Sequence, residues 1–156
     1  MSKGYSTHYS NSMDPVALSQ IAVKFAKDLL HLFPRSNFVL CYSGMSGISS
    51  ATILGLKLQE IDRLAGMMYV RKYNEKSHGQ QVERHSFDLK NKFRGIRPIF
   101  VDDFICDGDT LRYVVSKVRE TEEDCWPSQS NFPKEKWWCA LFEPEMVIEK
   151  YVGSDE

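Results

Sequence analysis

The chain has 156 residues, 42% of them hydrophobic and 26% charged, with a formal net charge of −1, which fits one globular domain with a substantial core. There is no global basic field to suit nucleic acid, no apolar run of membrane-spanning length and no apolar signal-peptide core near the polar N-terminus. A cytoplasmic protein is the expectation.

Residues 1–12 are rich in Ser, Tyr and Asn without periodicity and read as a loose arm, which leaves 13–156 as the folded domain. Asp14-Pro15 supplies an N-cap and a first-turn proline. Leu18, Ile21, Ala22, Phe25, Leu29 and Leu32 then recur at helical spacing, so a helix is expected up to about Pro34. A continuous apolar strand follows over 38–42, then a Gly-containing turn, Ser43-Gly44-Met45-Ser46-Gly47, and a second helix over 48–59. Residues 65–70 read as another strand, and the polar stretch 72–84 as an exposed loop. Arg97-Pro98 opens a strand that runs to Asp102, and 110–120 form the helix behind it. Residues 121–135 read as a connecting loop or lid and 137–142 as a final strand. Strands alternating with helices predict an α/β domain with a mostly parallel sheet flanked by helices.

Cys41, Cys106, Cys125 and Cys139 contain no Cys-x-x-Cys pair, and two of them fall in expected strands, so reduced thiols are the reading. Cys106, near a helix N-terminus, reads as a small loop residue. Lys90, Lys92, Arg94 and Arg97 read as a solvated basic face, and no nucleic-acid partner is expected.

The chemistry concentrates in Ile99-Phe100-Val101-Asp102-Asp103-Phe104-Ile105-Cys106-Asp107-Gly108-Asp109-Thr110. An apolar strand delivers paired carboxylates to its C-terminal end, and the following helix offers unpaired N–H groups to a phosphate. This segment resembles the signature of type I phosphoribosyltransferases. Ser43 to Gly47 are similar to that family's pyrophosphate-binding loop, though without the Lys that some relatives carry there. Arg71-Lys72, followed by Lys76, His78 and Gly79, resembles its mobile catalytic loop in the orotate version, with one extra residue before Lys76.

The resemblance implies a type I phosphoribosyltransferase-like fold with a small hood. The implied activity is Mg²⁺-dependent transfer of a phosphoribosyl group from phosphoribosyl pyrophosphate (PRPP) to a nucleobase, orotate or a purine, with release of pyrophosphate. Asp102 and Asp103 would hold the ribose hydroxyls, directly or through Mg²⁺. Ser43, Gly44, Met45, Ser46, Gly47 and Arg71 would face the pyrophosphate, with Lys72, Lys76 and His78 closing over it. Cys106, Asp107, Gly108, Asp109 and Thr110 would form the 5′-phosphate loop, and a homodimer is implied. Asp107 and Asp109 depart from the family's small-residue loop. At ~6 Å and an effective dielectric near 20, a carboxylate repels each phosphate charge by roughly 3 kcal/mol. The alternative reading is therefore a catalytically impaired protein of this fold that binds PRPP, a nucleotide or a partner in a regulatory role. The N-terminal arm, the segment around Trp126 and the chain after Phe142 are the candidates for the hood.

Overall fold

The computed structural model describes residues 14–63, 65–72, 75, 82–84, 96–102, 109–120, 136–141 and 148–152. The elements in chain order are α1 (Pro15–Leu32), β1 (Asn37–Tyr42), α2 (Gly44–Glu60), β2 (Ala65–Val70), β3 (Val82–Arg84), β4 (Ile96–Asp102), α3 (Asp109–Glu120), β5 (Lys136–Leu141) and β6 (Ile148–Val152). They make the expected α/β arrangement. The strands form one sheet in the order β3-β2-β1-β4-β5-β6. Neighbours from β2 to β5 are parallel, and β3 and β6 close the two edges antiparallel.

Helix α1 begins as its sequence dictates. Asp14 accepts from the N–H of Val16 at 2.9 Å and of Ala17 at 3.4 Å, and Pro15 fills a position whose N–H needs no partner. Leu18, Ala22, Phe25 and Leu29 are buried as expected, but Leu32 is 42% exposed. The helix stops at Leu32, and the buried side chain at the turn below is that of its C-cap, Phe33.

Strand alternation divides the apolar residues between two layers. Phe38, Leu40, Tyr42, Ile99 and Val101 face α1 and α2, where Phe25, Leu29, Leu54 and Leu58 complete one core. Val39, Cys41, Met68, Val70 and Phe100 face α3 and pack on Leu111, Val114, Val115 and Val118. Burial raises the Cys41 thiol pKa far above its ordinary value, so this cysteine is a neutral core residue.

Three expectations need correction. The polar stretch after β2 contains β3, which pairs with Met68, Tyr69 and Val70. A three-residue strand is too short to show a periodic pattern, and the backbone ladder carries it. Part of the chain after Phe142, a candidate for the hood, is β6, paired along β5 at the sheet edge. Helix α2 begins at Gly44, four positions ahead of the expected start at Ile48, so most of the Gly-containing turn is its first turn. The N-terminal arm and the segment around Trp126 lie outside the described residues.

Candidate functional site

The order of the sheet locates a crevice. From β1 the chain passes through α2 to β2 on one side; from β4 it passes through α3 to β5 on the other. Crossovers of one hand running in opposite directions place their helices on opposite faces, in agreement with the two cores. The boundary between β1 and β4 is thus a topological switch point, where open α/β sheets bind ligands beyond the strands' carboxyl ends.

Strand β1 enters α2 through a single extended residue, Ser43 (φ −140°, ψ 143°), followed by Gly44 at φ 75°. That positive φ is the reason for glycine here, since an L side chain would be strained. Extended backbone continues the strand alternation, so Ser43 lies on the same side of the sheet as Cys41. Its hydroxyl is buried and has no hydrogen-bond partner, although Ser43 occupies the N-cap position. The first-turn N–H groups of α2, which have no intrahelical acceptor, are therefore not capped by this side chain.

Asp102 ends β4 on the other side of the boundary and is 8% exposed. Its Oδ1 accepts from the Ser46 hydroxyl at 3.3 Å, tying β4 to the first turn of α2. Gly47 lets that turn sit across both strands. A Cβ there would lie 3.1 Å from the Tyr42 Cβ and 3.5 Å from the Val101 carbonyl oxygen.

From β2 comes Lys72, two residues past the strand's last position, Val70. Its Cε and Nζ lie 3.4 and 3.5 Å from where a Gly44 Cβ would be, so an ammonium group rests against the N-terminus of α2. Two positive features, a helix start and a cation, thus meet beside a buried carboxylate. That combination suits a ligand with anionic oxygens toward α2 and hydroxyl groups toward Asp102.

Ser43, Gly44, Ser46, Gly47, Lys72 and Asp102 are brought together at this edge. Met45 points to solvent, 82% exposed, so only its backbone remains as a contributor. Arg71 is half-buried and its guanidinium lies 5.4 Å from the centroid of the Tyr69 ring. Asp109 and Thr110 form the exposed start of α3. Asp109 is ion-paired with Arg112 at 2.5 Å. Asp103, Lys76, His78, Cys106, Asp107 and Gly108 lie outside the described residues.

Two features escaped the reading of the sequence. Tyr42 and Tyr69, register partners on β1 and β2, stack with centroids 5.5 Å apart and planes at 26°. The Tyr69 hydroxyl also donates to the Glu75 carboxylate at 2.5 Å. A tyrosine near the C-terminal end of each of two neighbouring strands was the available signal; Glu75 had none. Among the described residues no three His, Cys, Asp or Glu side chains gather as a metal cage. A single edge carboxylate still fits Mg²⁺, which takes one or two carboxylates and fills its shell with water and substrate phosphates. No helix among the described residues is long and apolar enough to cross a membrane. No family model matches the chain, and no curated protein matches it.

Proposed function

We propose that the chain is a type I phosphoribosyltransferase that moves a phosphoribosyl group from PRPP to a nucleobase, orotate or a purine, and releases pyrophosphate. The observation that carries this reading is the meeting of Asp102, the start of α2, which Ser43 does not cap, and Lys72 beside the β1/β4 switch point. As the bond at ribose carbon 1 breaks, positive charge develops on the sugar and negative charge on the leaving pyrophosphate. The catalyst must place opposite charges on the two sides.

Lys72 and the N–H groups of Gly44, Met45 and Ser46 would take the pyrophosphate oxygens, with Arg71, Lys76 and His78 adding cationic donors. Asp102, with Asp103, would hold the ribose hydroxyls, and the Ser46 bond fixes the orientation of the Asp102 carboxylate. The same two acids would hold Mg²⁺, whose role when bound is to neutralise charge on the substrate's phosphates. The turn over 106–110 would receive the 5′-phosphate. Asp109 opposes this assignment less than a buried acid would, because it stands in solvent paired with Arg112. A hood over the base and a homodimer complete the proposal.

The test is titration of PRPP with and without Mg²⁺, followed by an assay of pyrophosphate release with orotate and purines. Micromolar Mg²⁺-dependent binding and turnover are expected, with Asp102→Asn lowering turnover by about 10²-fold or more. Binding without turnover supports the regulatory alternative. Neither binding nor release from folded protein rejects both.

A further inference from the structure

The dipole of α2 does not favour Lys72 where it rests. An ammonium group beside a helix N-terminus meets the positive end of the dipole, and a lysine on a flexible four-carbon stem is free to swing into water. A restraint on its backbone would help return the side chain to Gly44.

The residues three positions to either side of Lys72 are joined to each other. The Tyr69 hydroxyl donates to Glu75 Oε2 at 2.5 Å, and the Glu75 N–H donates to the Lys72 carbonyl oxygen at 3.0 Å. Lys72 is thereby bonded through its backbone to Glu75, which Tyr69 holds from the strand. The donor ring is itself fixed, because it stacks on buried Tyr42 and carries the Arg71 guanidinium over it. A hydroxyl-to-carboxylate bond is short and charge-assisted, and it resists opening better than a neutral one.

We propose that Tyr69 and Glu75 are positioning residues, a latch that aims the Lys72 ammonium at the N-terminus of α2. The consequence for pyrophosphate affinity rests on the phosphoribosyl-transfer reading; the positioning itself does not.

Two measurements separate these. In ligand-free protein, the Gly44 amide resonance in a ¹⁵N–¹H spectrum reports the neighbouring cation. Lys72→Met should shift it, Tyr69→Phe should shift it in the same direction, and Tyr69→Phe should add nothing in the Lys72→Met background. Glu75→Ala should reproduce the effect, whereas Glu75→Gln, whose amide oxygen still accepts from the hydroxyl, should largely preserve the parent resonance. A Gly44 resonance that moves with Lys72→Met but is unmoved by Tyr69→Phe overturns the proposal. So does a Tyr69→Phe shift that persists undiminished without Lys72, the mark of a merely structural role. In the second measurement, pyrophosphate titration, Tyr69→Phe should weaken binding about tenfold with Lys72 present and not at all in its absence. If the resonance behaves as expected but the parent protein binds no pyrophosphate, the latch stands and the functional reading fails.

Discussion

Gly44 carries more consequence than any other residue at the site. It turns a strand into a helix at φ 75° and lies against the Lys72 side chain. Gly44→Ala should cost about 1–2 kcal/mol, from a left-handed conformation forced on an L side chain. A urea midpoint lowered without a change in slope would show it. The new methyl would meet the Lys72 side chain only at ordinary contact distance, so it is the strained backbone, through the N–H groups it re-aims, that should make the variant bind pyrophosphate more weakly. Asp62, at φ 58° just beyond α2, shows that a left-handed position can be met without glycine. Its N–H and that of Arg63 close the helix end on the carbonyls of Gln59 and Leu58, and aspartate is among the side chains that tolerate the region.

At the scale of elements, the C-terminal end of β2 should leave a trace at alkaline pH. The Glu75 hydrogen bond, with burial and the Glu75 charge adding to it and Arg71 opposing, pushes the Tyr69 phenol up to about 12 from its ordinary value near 10. The fold prefers the neutral phenol, so this contribution to stability is complete below about pH 10 and is lost as pH rises toward 12. Urea denaturation of the parent and of Tyr69→Phe across this range should show their stability difference shrinking with pH.

Elements with strong local signals were legible in the sequence. The Asp14-Pro15 cap, the 18-22-25-29 stripe and the continuous apolar runs of β1, β2 and β4 specify their structures locally. The start of α2 was not legible, because glycine and serine ordinarily signal a loop and only the packing of Gly47 on Tyr42 and Val101 makes a helical turn there. Strands β3 and β6 depend on hydrogen bonds to neighbours rather than on their own pattern. Of the residues gathered at the site, Asp102 was singled out from its place at the end of an apolar strand and Lys72 from its resemblance to a mobile loop. The latch was not, since it depends on hydrogen bonds that join Glu75 to Lys72 and Tyr69.

The whole molecule is a sheet with a core on each face, and β4 contributes to both. Ile99 and Val101 point to one side and Phe100 to the other, all fully buried. Phe100→Ala should cost about 3–5 kcal/mol, a large share of the 5–15 kcal/mol typical of a domain. Thermal unfolding should show it as a markedly lower midpoint. Conversion of the whole transition to a lower temperature, rather than the appearance of a second transition, would mean that the two cores unfold together. The pairing of β1 with β4 has a temporal side as well. These strands are distant in the chain, and closing so long a loop is slow compared with forming either helix. Ser46 and Asp102 therefore meet only after the least local contact in the sheet has formed. A ligand that needs both Asp102 and the start of α2 would find them together only on the folded chain, and its capture would mark the completion of folding.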